Sequence, residues 1–292
     1  MIFSSEIFVF FVSMSLFFSS LNSGSNGNCY YIGNEKESIL IDAGLSCKET
    51  EKRMSLLNLS MSSVKAIFIS HEHIDHIKGV EVLAKKHGIS VYITSETLKN
   101  SRTPIPSNQI IPLISYQSVE IGNLTVTAFP KFHDAVDPNS FIIQYGNLKV
   151  GVFTDIGCVC EHVINHFKQC HVAFLEANYD DEMLENGNYP FHLKQRIKGD
   201  NGHLSNKQAL DLFIQHRPEY MSHLLLSHLS KENNNPELVY KLFSENTINT
   251  EIIIASRYQP TPLYCLENSV QKKTAPKNLM QLNLFEQFYF NS

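Results

Sequence analysis

The densest group of metal-ligating side chains lies in six consecutive residues, 71–76, with the pattern H-E-H-I-D-H. The pattern follows the apolar run 64–69 and precedes a stretch of helical periodicity, so it is predicted to form a loop between a strand and a helix. Neutral imidazole and carboxylate are good ligands for zinc and related ions, and such a loop can direct successive side chains to one point. The motif therefore predicts a divalent metal site. A polar loop with solvent-facing histidines is the alternative.

Further histidine and aspartate residues follow other predicted strands. His133, Asp155, His228 and Asp42 each come at, or within a few residues of, the end of an apolar run with strand character. Strand ends that converge on one edge of a sheet are a common way to build a binding site. These positions are compatible with a shared site at such an edge.

The composition is that of a folded globular protein. Of the 292 residues, 43% are hydrophobic and 18% are charged, which excludes a disordered chain and a coiled coil. The formal net charge of −5 argues against a generally basic nucleic-acid coat but leaves room for a local basic groove. The six cysteines include no C-x-x-C pair and no dense spacing, so a reduced, cytoplasmic protein is expected.

Strand-like runs alternate with helical periodicity, which predicts one α/β layered domain over residues 14–266. One helix is expected over His76–His87, ending at Gly88. Residues 267–277 are polar and predict a flexible linker, which is followed by a short apolar tail to residue 292.

The N-terminal apolar run, residues 7–18, does not indicate a membrane protein. It is shorter than the roughly 20 apolar residues that span a bilayer, and no Lys or Arg precedes Lys36. We expect residues 1–13 to be an extension ahead of a start at Met14, where a first strand begins. A signal peptide is the alternative.

Six separated motifs besides the one at residues 71–76 resemble, in the same order, those of the YycJ-like (WalJ-like) branch of the metallo-β-lactamase superfamily. The superfamily signature is H-x-H-x-D-H. The other motifs are S-G-S-N-G-N-C at 23–29, I-D-A-G at 41–44, H-D-A at 133–135, F-T-D-I-G at 153–157, G-H-L-S-N at 202–206 and H-L-S at 228–230. The resemblance covers about residues 14–264 and implies the four-layer αβ/βα sandwich of the metallo-β-lactamase fold.

The resemblance also implies a site for two divalent ions. One ion would be held by His71, His73 and His133, the other by Asp75, His76 and His228, with Asp155 bridging them. Asp42 would support the histidine loop through hydrogen bonds, and a buried turn is the alternative for it. Zinc is the expected metal, with manganese or iron open. Two such ions can lower the pKa of a shared water and stabilise both oxygens of a displacement at phosphorus, and Asp75 would orient that water.

His203 resembles the histidine that phosphodiesterases of the superfamily, such as ribonuclease Z, place beside the scissile phosphate. Its implied role is to donate a proton to the leaving oxygen or to stabilise phosphate charge. An exposed histidine in a helix-capping segment is the alternative. Lys194, Arg196 and Ser25 are candidate phosphate contacts, whereas a solvated helical face and a tight turn explain them about as well.

The implied function is that of a DNA exonuclease acting 5′ to 3′ on duplex DNA in mismatch repair. Asp155 stands where some zinc β-lactamases need cysteine, and the 73 positions from Asp155 to His228 leave no room for the inserted clamp domain of RNA-cleaving relatives. Two alternatives remain open. One is a thioester or lactone hydrolase similar to glyoxalase II, which would not need His203, and the other is a non-catalytic, metal-stabilised interaction module.

The C-terminal tail contains Q-L-N-L-F at residues 281–285. Its residues Gln281, Leu282, Leu284 and Phe285 resemble the pentapeptide by which bacterial replication and repair proteins bind the sliding clamp. Leucine and phenylalanine anchors on a flexible linker can dock in an apolar pocket. A tail that packs on its own domain is the alternative.

Overall fold

The computed structural model describes residues 14–267. The predicted N-terminal extension, residues 1–13, lies outside the described residues. So do residues 268–292, which include the predicted clamp-binding residues Gln281, Leu282, Leu284 and Phe285. Within the described range, the chain forms two seven-stranded sheets.

The first sheet is built mainly from the N-terminal half of the chain. Its strands are β1 (Ser15–Asn22), β2 (Cys29–Gly33), β3 (Ser38–Ile41), β4 (Val64–Phe68), β5 (Ser90–Ile93), β6 (Ile110–Pro112) and the last strand, β14 (Tyr264–Glu267). They lie in the order β14-β1-β2-β3-β4-β5-β6. The pairs from β14 to β3 are antiparallel, and β3 to β6 run parallel.

The second sheet follows in the sequence. Its strands are β7 (Ser118–Ile121), β8 (Leu124–Pro130), β9 (Asn139–Tyr145), β10 (Leu148–Phe153), β11 (Val172–Glu176), β12 (His223–Ser227) and β13 (Glu251–Ile254). Strands β7 to β10 form an antiparallel meander, and β10 to β13 are parallel. The two parallel halves give the domain two sets of strand ends that can build a site.

Helices connect the strands and cover the outer faces of both sheets. They are α1 (Cys47–Leu56), α2 (Ile74–Ile77), α3 (Val80–His87), α4 (Ser95–Asn100), α5 (Glu161–Phe167), α6 (Asp181–Asn186), α7 (Phe191–Lys198), α8 (Asn206–His216) and α9 (Pro236–Ser244). Ser205 begins α8 with a capping box that includes Gln208, and Asn235 accepts hydrogen bonds from the first turn of α9.

Three apolar clusters hold the layers together. The central cluster lies between the two sheets, where Phe174 of β11 contacts Tyr30 of β2 and Phe18 of β1. A second cluster joins α5, α8 and α9 to the second sheet, and a third joins α1 and α3 to the first sheet. This helix–sheet–sheet–helix arrangement confirms the predicted four-layer αβ/βα fold.

The predicted helix over His76–His87 is wrong in one respect, because it is interrupted at Gly79 and becomes α2 and α3. The Gly79 amide donates to the carbonyl of Ala43, and the Asp75 carbonyl, its ordinary helical partner, accepts from the amide of Asn28. A Cβ on Gly79 would lie 1.9 Å from the carbonyl oxygen of Leu45. The close approach of the 43–45 loop thus breaks the helix and requires glycine there.

Among residues 14–267, no helix is long and apolar enough to cross a membrane.

Candidate metal centre

The candidate site lies where strands of both sheets end. Asp42 follows β3 and the motif at residues 71–76 follows β4, while His133 and Asp155 come shortly after β8 and β10, and His228 directly follows β12. Strand β3 pairs in parallel with β4, and β11 pairs in parallel with both β10 and β12. These strands therefore end at one edge. The structure therefore assembles side chains that are up to 186 positions apart in the sequence (228 − 42).

Three of these residues have an uncommon backbone conformation. Asp42, Asp155 and His228 have φ of 60°, 56° and 56°, in the left-handed region, although none is glycine. Aspartate and histidine adopt this region more readily than most residues, and such conformations concentrate at functional sites. Each of these residues lies at or just after the end of a strand, where the chain turns at the shared edge.

The first cluster consists of His71, His73 and His133. The Nε2 atom of His71 lies 3.1 Å from the Nδ1 atom of His73, and the Nε2 atom of His133 lies 3.4 Å from that same Nδ1. His71 and His133 are buried, and His73 is partly exposed. The three ring nitrogens are close enough together to serve as ligands of one ion.

The second cluster consists of Asp75, His76 and His228. The Oδ2 atom of Asp75 lies 3.5 Å from the Nε2 atom of His76 and 3.6 Å from the Nε2 atom of His228. Their ligand atoms also converge closely enough to hold one ion. The predicted ligands thus fall into two groups of three, each with its own point of convergence.

Asp155 lies between the two clusters. Its Oδ1 atom is 3.4 Å from the Nε2 atom of His228 and 3.9 Å from that of His133, and its Oδ2 atom is 3.3 Å from that of His76. Both Asp155 Oδ2 and His228 Nε2 are buried without a hydrogen-bond partner among the described residues. Since buried polar atoms are rarely left without a partner, this donor set fits divalent metal ions.

Asp42 forms hydrogen bonds with the loop that contains the metal-ligand motif at residues 71–76. Its carboxylate accepts hydrogen bonds from the backbone amide and the hydroxyl of Ser70, both at 2.8 Å. It also lies 2.7 Å from the Nδ1 atom of His76. A carboxylate only accepts, so Nδ1 of His76 carries the proton. Its Nε2 atom, which lies 3.0 Å from the Nδ2 atom of Asn28, keeps the lone pair that a metal ligand needs.

Glu176, at the end of β11, is a site residue that the sequence analysis missed. Its completely buried carboxylate lies 2.7 Å from the Nδ1 atom of His203 and 3.0 Å from that of His228. It also accepts a hydrogen bond from the backbone amide of Ile156. A glutamate that closes the apolar run 172–175 was the available signal, because a buried strand end is an unusual place for a carboxylate.

The buried carboxylates shift the pKa values of two imidazoles upward. Burial alone lowers the pKa of His228, but the charges and hydrogen bonds of Asp155, Asp75 and Glu176 raise it to about 10. His76 behaves in the same way, with its pKa raised well above the usual value by Asp155, Asp42 and Asp75. The carboxylates at this edge of the sheets thus favour positively charged groups beside them.

The other cluster shows the opposite effect. Burial lowers the pKa of His133 to about 4, and burial together with His76 and Lys131 lowers that of His71. These two imidazoles are therefore neutral at ordinary pH, which is the form that binds a metal. Burial also lowers the pKa of Lys131, whose ammonium group donates to the carbonyl of Thr154.

A cleft of about 220 Å³ opens beside the two clusters. His203 and His228 line this cleft. Two of the three residues predicted to contact the phosphate, Ser25 and Arg196, line it as well. Lys194 lies outside the set of side chains that line it, and its ammonium donates to the backbone carbonyl of Glu185.

Arg196 lines the cleft, but its guanidinium group is already bound to another side chain of the protein. Its guanidinium forms an ion pair with Asp134, whose other oxygen lies 3.3 Å from the Nε2 atom of His133. Lys198, on the same helix, pairs with Glu185. Much of the positive charge of α7 is therefore matched by nearby acceptors of the protein itself.

The comparisons with known proteins agree with this architecture. The sequence profile of a family described as a beta-lactamase superfamily domain matches residues 37–228. The chain belongs to the metallo-β-lactamase superfamily. Within that superfamily it falls in the YycJ/WalJ-like branch, as its curated relatives indicate.

One such relative is a Bacillus anthracis protein named exodeoxyribonuclease YycJ. It is 36% identical over 228 residues, which cover 77% of this chain and 86% of the relative. A Streptococcus pneumoniae protein named exodeoxyribonuclease WalJ is 35% identical, over 76% of this chain and 85% of the relative. Among solved structures, the metallo-β-lactamase fold protein YhfI of Bacillus subtilis has a TM-score of 0.67 at 18% identity. That match covers 87% of this chain and 100% of YhfI, and it shows the shared fold.

The role of Asp42 can be tested by replacing it with asparagine. Asparagine tolerates the left-handed backbone at this position, but the substitution puts an amide group where a carboxylate accepts from His76 and Ser70. We expect Asp42→Asn to lower zinc affinity about 10- to 100-fold, measured by competition with a chromophoric chelator. Asp211→Asn, on the exposed side of α8, is the control and should bind zinc like the wild type. Equal zinc affinity in Asp42→Asn and the wild type would contradict the supporting role.

Proposed function

We propose that the protein is a metal-dependent phosphodiesterase that acts on DNA as an exonuclease. The observation that carries this proposal is the position of His203. Its ring is fixed by Glu176 and lies in the same cleft as His228, with its Nδ1 atom 3.9 Å from the Oδ1 atom of Asp155. A proton donor beside the two ligand clusters would assist departure of the leaving oxygen of a phosphodiester.

This proposal has seven metal ligands, which are the six side chains of the two clusters together with Asp155. We propose zinc as the metal, because imidazole and carboxylate ligands suit it, with manganese and iron as alternatives. When bound, two divalent ions supply an activated water and neutralise charge that develops on the phosphate oxygens. The protein's part is to hold the ligands in place, since Asp42 and Glu176 fix the tautomers of His76 and His228.

His203 is the proton donor to the leaving oxygen. Glu176 accepts from its Nδ1, so the other ring nitrogen, Nε2, is the one available to a substrate. His203 is partly exposed, with 21% of its side chain accessible, whereas Glu176 is fully buried. The buried carboxylate therefore orients an imidazole that can still reach a substrate.

The choice of DNA as the substrate rests on the relatives named exodeoxyribonucleases, which match most of the chain. A 5′ to 3′ direction on duplex DNA and a role in repair belong to the same proposal. A thioester hydrolase is less favoured, because a thiolate leaves without a proton and would not need His203. A lactone hydrolase is less favoured because the relatives that match most of the chain are named exodeoxyribonucleases. The six cysteines are free thiols, which supports a reducing compartment, and we propose the cytoplasm.

Replacement of His203 tests the proposed chemistry. We expect His203→Ala to lower kcat for hydrolysis of 5′-phosphorylated duplex DNA by about 10²- to 10⁴-fold. The zinc content should stay at the wild-type level, because the two proposed ligand groups remain complete. His216→Ala, at the end of α8, is the matched control and should keep full activity. The assays are steady-state kinetics with zinc or manganese and metal analysis of each variant.

A parallel assay with a thioester separates the two hydrolase classes. If wild-type protein turned over the thioester faster than any phosphodiester, and His203→Ala retained that turnover, the nuclease proposal would be wrong. A loss of zinc from His203→Ala would instead show that His203 is a metal ligand.

We further propose that residues 281–285 bind a sliding clamp, on the support of the sequence alone. Leu284 and Phe285 would be the apolar anchors. We expect purified clamp to retain the full chain in a pull-down and to lose the double variant Leu284→Ala, Phe285→Ala. Substitution of Asn283 by alanine is the control, because this residue is not an anchor. Retention of the double variant would contradict the proposal.

A further inference from the structure

A second groove, of about 340 Å³, adjoins the catalytic cleft. Leu229 and Ser230, which directly follow His228, line both spaces, so the two lie next to each other. Beyond Ser230 the groove is bordered by Lys231, Arg257 and Tyr258. We call it the flanking groove. The sequence motifs drew attention to none of these three residues.

Arg257 is built into the wall of the flanking groove. Its guanidinium donates to the carbonyl of Leu229, at 3.0 Å. Gly24 also lies beside the guanidinium, and an added Cβ there would be 2.8 Å from the same Nη2 atom that donates to Leu229. Gly24 also has φ of +136°, so the loop before β2 both requires glycine and leaves space for the guanidinium. Arg257 is thus held beside the residue that follows His228.

The charge of Arg257 is less compensated than that of the other cations near the cleft. Arg196 pairs with Asp134, and Lys231 pairs with Glu232 at 3.5 Å. In the part of the chain that the structure describes, no carboxylate lies within ion-pair distance of Arg257, whose recorded partner is a backbone carbonyl. A half-buried guanidinium with a neutral partner is suited to a phosphate group.

Tyr258 presents an aromatic ring at the same groove. It is 73% exposed, and its backbone amide donates to the hydroxyl of Ser256, which fixes the local turn. Aromatic rings beside cationic groups are the usual platform for a single-stranded nucleotide, because every base has a face that can stack. The flanking groove thus combines a phosphate contact with a surface for a base.

We propose that the flanking groove binds the nucleotide next to the scissile phosphate, with Arg257 contacting its phosphate and Tyr258 stacking on its base. The strand would run from His203 and His228 across Leu229 and Ser230. This inference rests on the proposed nuclease function and identifies a subsite for it. It also explains how a chain with a net charge of −5 can bind DNA, since the positive charge needed is local.

Two variants test the subsite. Arg257→Gln keeps an N–H group that can donate to Leu229 but removes the charge, and Tyr258→Ala removes the ring. The controls are Arg217→Gln, whose guanidinium lies over Phe213, and Tyr240→Ala on α9. Each protein, loaded with metal, is assayed on a DNA duplex that ends in a 12-nucleotide single strand and on bis-p-nitrophenyl phosphate, which has no flanking nucleotide.

We expect Arg257→Gln and Tyr258→Ala each to lower kcat/KM for DNA by about 10-fold. Their effect on the small ester should be several-fold weaker, and both controls should match the wild type. For Arg257→Gln the slope of log kcat/KM against log salt concentration should become shallower by about 1. An equal loss on DNA and on the small ester would overturn the proposal, because the substitutions would then have damaged the metal centre. Unchanged DNA kinetics would overturn it as well.

DNA binding measured by fluorescence anisotropy separates the subsite from the proposed function. In the His203→Ala background cleavage is expected to be slow. Adding Arg257→Gln there should raise the Kd for the DNA with the 12-nucleotide single strand by about 10-fold. If the wild type hydrolysed no phosphodiester, the proposed function would fail, and the Kd comparison would still decide the subsite. An unchanged Kd would reject the subsite.

Discussion

The burial of negative charge at one edge of the sheets is the constraint on which the rest of the site depends. Asp42, Asp155 and Glu176 are almost completely buried, and Asp75 is only 19% exposed. A buried carboxylate is strongly destabilising unless it is paired with positive charge or hydrogen-bond donors. Each of the four lies close to at least one imidazole nitrogen. The histidines thus offset buried negative charge, in addition to any role as metal ligands.

The sheet architecture makes this concentration of charge possible. Parallel strands end at the same edge, so each strand can deliver a residue without a long loop, and the left-handed turns at Asp42, Asp155 and His228 direct the chain there. The packed core between the sheets, around Phe174, fixes the strand positions. Strain in those turns is tolerated because the surrounding packing and hydrogen bonds determine the conformation.

The periodicity of the sequence predicted an α/β layered domain, and the contiguous motif at residues 71–76 predicted a metal site. The four-layer order and the full set of seven side chains came from the resemblance to the superfamily, because the distant members are marked in the sequence only by their positions after predicted strands. Other features depend on tertiary contacts. Glu176 looks like any glutamate at a strand end until its burial against His203 and His228 is known. Arg196 has the spacing of a phosphate contact, yet Asp134 already pairs with it. Arg257 belongs to no motif, and its position depends on the loop that contains Gly24.

We propose that Asp155 joins the two ligand clusters into one two-ion centre. The most direct test is the number of metal ions bound per chain, measured by elemental analysis after zinc loading and dialysis. We expect about two ions for the wild type and for an Asp211→Asn control, and fewer than about one for Asp155→Ala. Two tightly bound ions in Asp155→Ala, or a single ion in the wild type, would contradict it.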